Sequence, residues 1–350
     1  MATENKAKKK SRGKSVILIL LLIIVIAAAG GGYYLSTMNK ALSPGSDKII
    51  LVEVASGDTT TAIADKLEEK GVIASAQKFR LKSRLSGNDG KYKAGVYEVS
   101  PAMTAEEIMD KLISGDQEQN RLTIPEGYTL DQVAEAAEKA GVCTKEEFLR
   151  ETQNGQFEYR FMEYAGSGEK RLEGFLYPET YFVPKGTSAH DLVDMLLAQF
   201  DKVFTDEYYD RAAQMGLTPR DIVTVASMIQ RETLVSEEGA KVASVIYNRL
   251  ADGMKLQIDA TVQYALGEQE SRLSYSDLEV DSPYNTYKVE GLPAGPICQP
   301  HKSAIEAALW PEETDYLFYV LKPDGSGSHN FAATDTEFAQ YREEYLNSLK

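Results

Sequence analysis

The residue in this sequence best placed to do chemistry is Glu232, at the end of the run TPRDIVTVASMIQRE that begins at Thr218. Ile222, Val225, Ala226 and Ile229 recur at helical spacing and predict a buried stripe, and the next step of that stripe falls on Glu232. A carboxylate there would be partly desolvated and would face the negative end of its own helix; both effects favour the protonated form. A glutamic acid held protonated near neutral pH can donate a proton to a leaving group. The plainer reading puts Glu232 past the last helical turn, ionised and solvated. Further along, Gln257, Asp259, Asn285, Tyr287 and Gln299 fall in segments dense in amide and hydroxyl groups, as a carbohydrate cleft requires. Each is a candidate for contacting sugar or supporting Glu232, and for each a structural hydrogen-bonding role is the equal alternative. Glu238 and Asp259 are the candidates for a second carboxylate.

Other chemistries find little footing. There is no phosphate-binding glycine loop and no G-x-S-x-G elbow, and His190, His301 and His329 lack zinc spacing. No metal or other cofactor is expected. Cys143 and Cys298 are too few for a disulfide framework, and two free thiols are expected. What remains is carboxylate chemistry.

Several elements must position these residues. Thr218 suits an N-cap, with Pro219 at the first helical position and Asp221 in the first turn. A second helix is expected from about Glu237 to Ala251, capped by Ser236 and ended by Gly253. Leu256 to Asp259 alternates apolar and polar, which as a strand would present Gln257 and Asp259 on one face. The stretch Tyr316 to Val320 reads as a buried strand, His329 to Phe331 as a turn and strand start, and Thr334 to Leu349 as a closing helix. The aromatic run RLEGFLYPETYFVPK (Arg171 to Lys185) is read as core packing, with Glu173 and Glu179 as the residues there that could face a cleft.

The preceding half carries a partial repeat. Gly57 and Gly71 are spaced like Gly127 and Gly141, fourteen positions apart, with similar apolar positions between, a phenylalanine beyond (Phe79, Phe148) and a strand-like run before. The first copy, strand–helix–helix–strand, resembles a LysM-type glycan-binding module, with an inert spacer as the alternative. Two copies are too few for a solenoid.

Charge is uneven. Residues 1–15 carry six basic side chains against Glu4, a net +5; subtracted from the formal −15 of the whole chain, this leaves −20 on the remainder. So acidic a body argues against a nucleic-acid partner. Val16 to Leu35 is uncharged and about long enough to cross a bilayer. The basic cluster before it predicts a cytoplasmic N-terminus and an extracytoplasmic remainder; a cleaved signal peptide at Ala27–Ala29 is the alternative. The expected organisation is α+β: a basic tail (1–15), a single transmembrane helix (16–35), a stalk (36–47), a LysM-like membrane-proximal domain (48–120), a connecting strand–helix unit (121–185) and an α+β catalytic domain (186–350).

Five motifs in order carry a family resemblance: ASMIQRET (Ala226–Thr233), KVASVIYNRL (Lys241–Leu250), LQIDATVQY (Leu256–Tyr264), SPYNTY (Ser282–Tyr287) and GLPAGPICQP (Gly291–Pro300). Together with EGFLYPETY (Glu173–Tyr181) they resemble the YceG-like family of endolytic murein transglycosylases, from about residue 45 to the C-terminus. The resemblance implies that Glu232, directly before the threonine of the family's A-S-x-x-E-x-E-T motif, is the catalytic acid. The earlier glutamate of that motif is Gln230 here, which leaves a carboxylate role at that position in doubt. The family's reaction cleaves the β-1,4 bond between N-acetylmuramic acid and N-acetylglucosamine without water and leaves a 1,6-anhydro ring. The implied partners are peptidoglycan glycan strands, with penicillin-binding proteins and elongation or division proteins beside them. Two alternatives stand: a muramidase that uses water and a second carboxylate, and an idle glycan-binding scaffold.

Overall fold

The computed structural model describes residues 20–22, 30–34, 36–116, 119–267 and 273–349. The expected membrane span at 16–35 falls mostly outside these residues, as does the basic tail. Among the described residues no helix is long and apolar enough to cross a membrane. The secondary structure is mixed α and β, and the chain divides into two compact units: one running to Gln119 and taking in Pro184–Gly186, the other comprising Asn120–Val183 and Thr187–Lys350.

The first unit is built on β1 (Ile50–Val54) and β2 (Gly95–Val99), which pair antiparallel with Val52 opposite Tyr97. Alternation along β1 turns Val52 and Val54 inward and Leu51 and Glu53 outward. Helices α1 (Thr60–Glu69) and α2 (Ala76–Leu85) lie between the strands in sequence, and α3 (Ala105–Ser114) follows, started by a Thr104–Glu107 capping box. Ile63, Leu67, Phe79, Ile108 and Leu112 fill the core.

The second unit opens with another copy of the same pattern. β3 (Gln119–Thr123) leads to α4 (Leu130–Lys139) and α5 (Lys145–Asn154), and β4 (Thr180–Pro184) returns to pair with β3. The repeat in the sequence is therefore a repeat in backbone. Gly57 and Gly127 both take left-handed φ (+87° and +78°) just before a threonine N-cap, Thr59 or Thr129, and Gly71 and Gly141 repeat it (+70° and +71°) after the helix. Residues 120–183 fall in one compact unit with residues 187–350. Leu122, Val133, Phe148, Phe175 and Val183 share one core with Leu196, Ile222 and Ile305. The aromatic run is indeed core, where Phe161 stacks on Phe175 and both meet Phe200 edge-on.

After α6 (Ala189–Val203) and α7 (Asp206–Gln214) comes α8 (Pro219–Glu232), capped as its sequence predicts by Thr218 with Asp221 completing the box. It is buried all round from Ile222 to Ile229 rather than along one stripe, because α9 (Gly239–Ala251), α10 (Asp259–Leu266) and α11 (Lys302–Leu309) all pack on it. Its hydroxyls are satisfied internally: Thr224 donates to the Arg220 carbonyl at 2.8 Å, and Ser227 donates to that of Thr224 at 2.7 Å. Helix α9 is preceded by a 3₁₀ turn, Ser236–Glu238, and Ser236 makes no cap. The antiparallel pair β5 (Phe318–Leu321) and β6 (His329–Ala332) and the helix α12 (Asp335–Ser348) complete the unit.

Candidate active site

Glu232 is the last residue of α8. The chain leaves the helix at Thr233, whose extended backbone (φ −105°, ψ 122°) and hydroxyl bond to the Ile229 carbonyl at 2.9 Å fix the exit. The residue as a whole is half-buried, but its carboxyl lies deep in the wall of a cavity of about 500 Å³, within the range of small-ligand sites. Tyr319 of β5 donates its hydroxyl to Oε2 at 3.0 Å. Burial pushes the Glu232 carboxyl up to about 7; the nearby charge of Asp259 adds to the rise, while the Tyr319 hydroxyl and the Ala260 backbone N–H oppose it. A carboxylic acid with such a value can give a proton at neutral pH and take one back.

The facing wall is the segment 256–259, which is no strand. Gln257 sits at φ +54°, a left-handed conformation costly for a residue with a Cβ, and Asp259 is already the first residue of α10. Four bonds hold this shape. The Gln257 N–H donates to the Thr286 carbonyl at 3.1 Å, and the Ile258 N–H donates to the Thr286 hydroxyl at 2.9 Å. Arg249, buried under the segment, donates from Nη1 to the Leu256 carbonyl at 3.0 Å and to the Gln257 side-chain oxygen at 3.3 Å. Its Nε reaches the Leu317 carbonyl at 2.6 Å, and its plane lies over Phe318, so one guanidinium joins the loop to the strand that carries Tyr319.

Gln257, Asp259 and Tyr287 line the cavity with Glu232, and the Tyr287 hydroxyl donates to Asp259 Oδ1 at 2.5 Å. Asn285 and Gln299 do not line it; both are fully buried. The Asn285 amide donates to the carbonyls of Leu278 and Val280, and its oxygen accepts from the Tyr287 N–H at 3.0 Å, so it shapes the loop that presents Tyr287. Gln299 accepts from the Leu176 N–H and donates to Glu173. Glu173 faces no cleft: it is fully buried, pushed up to about 7 by that burial, and accepts from the Leu130 N–H, Gln299 and Tyr264. Glu179 is exposed and bonds the Thr180 N–H.

Glu238 lies outside the cavity lining and is tied to His329 through both the backbone N–H and Nδ1. The His301 backbone N–H donates to Gln230 Oε1 of α8 at 2.9 Å. Gln230 thus needs only an acceptor oxygen, which a glutamine supplies as well as a glutamate. Cys143 and Cys298 are free, and among the described residues no group of His, Cys, Asp and Glu is arranged for a metal ion. Sequence reasoning missed Tyr319 and Arg249. Both lay in stretches readable as buried strand and helix, and only the partner each meets reveals its role.

The family described as the YceG-like family matches residues 52–344. An endolytic murein transglycosylase of Bacillus subtilis is 32% identical over 327 residues, covering 90% of each chain. One of Streptococcus pneumoniae is 31% identical over 306 residues, which span 80% of this chain and 55% of the streptococcal protein. A crystal structure of a yceG-like protein from Listeria monocytogenes, 36% identical, superposes with a TM-score of 0.56 and covers 84% of this chain and 99% of its own.

Proposed function

The chain belongs to the YceG-like family, and from that premise we propose that it is an endolytic peptidoglycan lytic transglycosylase whose acid and base is Glu232. The observation that carries this reading is a carboxyl held near 7 by burial and hydrogen-bonded by Tyr319, in the wall of a cavity that Gln257, Asp259, Tyr287, Arg249 and Arg342 line beside apolar side chains. Glu232 gives its proton to the glycosidic oxygen as the bond from C1 of N-acetylmuramic acid to O4 of N-acetylglucosamine breaks. The carboxylate so formed, stabilised by Tyr319, takes the proton of the muramoyl C6 hydroxyl, whose oxygen bonds to C1 and closes the 1,6-anhydro ring. No water is consumed, and Glu232 ends protonated.

A hydrolase would need a second carboxylate about 5 Å away for retention or about 6.5–9.5 Å for inversion. Asp259 shares the cavity and keeps that reading in play, whereas Glu238 is engaged by His329. In the proposed setting the uncharged stretch at 16–35 anchors the protein with its N-terminus in the cytoplasm. The strand–helix–helix–strand unit at β1–β2 serves as a LysM-like glycan contact near the membrane, and nascent strands are cut beside penicillin-binding and elongation or division proteins.

The test digests purified peptidoglycan with the wild-type chain and with Glu232→Gln and reads products by mass spectrometry. Anhydro-muramoyl ends from the wild type alone are expected. Reducing ends one water heavier would replace the transglycosylase with a muramidase. Binding without cleavage by either would leave a scaffold.

A further inference from the structure

A second cavity, of about 580 Å³, lies on the other side of the same wall. Arg231 and Glu232 are consecutive, yet Glu232 lines the first cavity and Arg231 the second; Asp259 and Ala260 divide in the same way. The end of α8 and the first turn of α10 therefore form one partition, with the catalytic carboxyl on one side and a guanidinium on the other. Two lysines of the second cavity are matched by acids, Lys170 by Asp131 and Lys145 by Glu135. Arg231 has no carboxylate within ion-pair distance among the described residues; its Nη1 makes a long 3.4 Å bond to the Gly127 carbonyl. In a body carrying net negative charge this cavity thus holds an unmatched cation, suited to an anionic ligand group.

An enzyme that cuts inside a strand must hold substrate beyond the sugar whose bond it breaks, and each muramoyl unit of uncrosslinked peptidoglycan bears a peptide with free carboxylates. We propose that the second cavity is a subsite for the stem peptide, with Arg231 binding one of its carboxylates. This rests on the transglycosylase reading above. Arg231 would be a specificity residue that anchors the substrate behind the partition while the glycan lies before Glu232.

The test compares kcat/KM of the full chain on uncrosslinked strands that keep their stem peptides and on the same strands stripped of them by an amidase. Wild type is expected to prefer peptide-bearing strands by about tenfold or more, as a charge-assisted bond to a carboxylate would give. Arg231→Gln, and independently Ala265→Phe, which fills the second cavity from α10, should bring that ratio toward one. Thermal melting checks that each variant is folded. A wild type without preference, or variants that lose both substrates in proportion, would overturn the subsite and leave the reaction standing. If the wild type yields no anhydro ends on either substrate, the transglycosylase reading falls, and the subsite with it.

Discussion

Tyr319 donates its hydroxyl to the carboxyl of Glu232 at 3.0 Å, from a strand 87 residues further along the chain. The bond favours the ionised form, so it opposes the burial that keeps Glu232 protonated. In the proposed mechanism Glu232 begins protonated, so kcat/KM should fall above about pH 7. Tyr319→Phe should move that fall to higher pH, because a force lowering the Glu232 value is gone. It should also cost about tenfold in kcat, since the carboxylate formed in the first step loses its donor. A pH–rate profile of both proteins checks the two effects together.

Asp259 acts on Glu232 in the opposite sense, its charge helping to raise the carboxyl. Asp259→Asn should therefore shift the alkaline fall in kcat/KM to lower pH while anhydro-muramoyl ends remain the product. A variant that stops cleaving altogether, beside a wild type that releases reducing ends, would mark Asp259 as the second carboxylate of a hydrolase.

Gln257 occupies φ +54° in the cavity that it lines with Glu232. Gln257→Gly should relieve about 1 kcal/mol of backbone strain and raise the melting temperature. The same change frees the loop that presents Asp259 and removes the oxygen that Arg249 holds. Activity should then fall by several-fold while stability rises, measured by calorimetry and turnover on one preparation. A fall in both would mean that the conformation is held without strain.

Glu173, fully buried at about 7, makes stability depend on pH. Its folded value lies above the ordinary carboxyl value of about 4.3. The unfolded chain therefore releases this proton at lower pH than the folded one, and the contribution to stability declines as pH rises from about 4.5 to about 7, then stays level. Glu173→Gln should flatten that part of the curve, with denaturant midpoints at pH 5 and pH 7.5 differing less than in the wild type. An unchanged difference would place the titration elsewhere.

Much of this was legible in the sequence because it is local. The capping box Thr218–Asp221, the helix it starts and its end at Glu232 follow from nearest-neighbour chemistry. The glycines of the repeat, Gly57 with Gly71 and Gly127 with Gly141, announce backbone that only glycine adopts freely, and both copies fold alike. Segment 256–259 was misread as a strand because its alternation of apolar and polar residues is real, yet Thr286 and Arg249 bend it out of the extended form. Asn285 and Gln299 carried the amides expected of a sugar site, but residue type does not tell whether an amide faces solvent or closes a buried network.

The sequence by itself determined that Glu232 ends its helix, the family motifs around it and the duplicated frame before it, since each depends on residues a few positions apart. The tertiary structure alone decided what surrounds Glu232. Desolvation, the Tyr319 bond and the partition that puts Arg231 and Glu232 in different cavities all arise from elements distant in sequence. A carboxyl owes its proton affinity to its surroundings, and those are made by the packed chain.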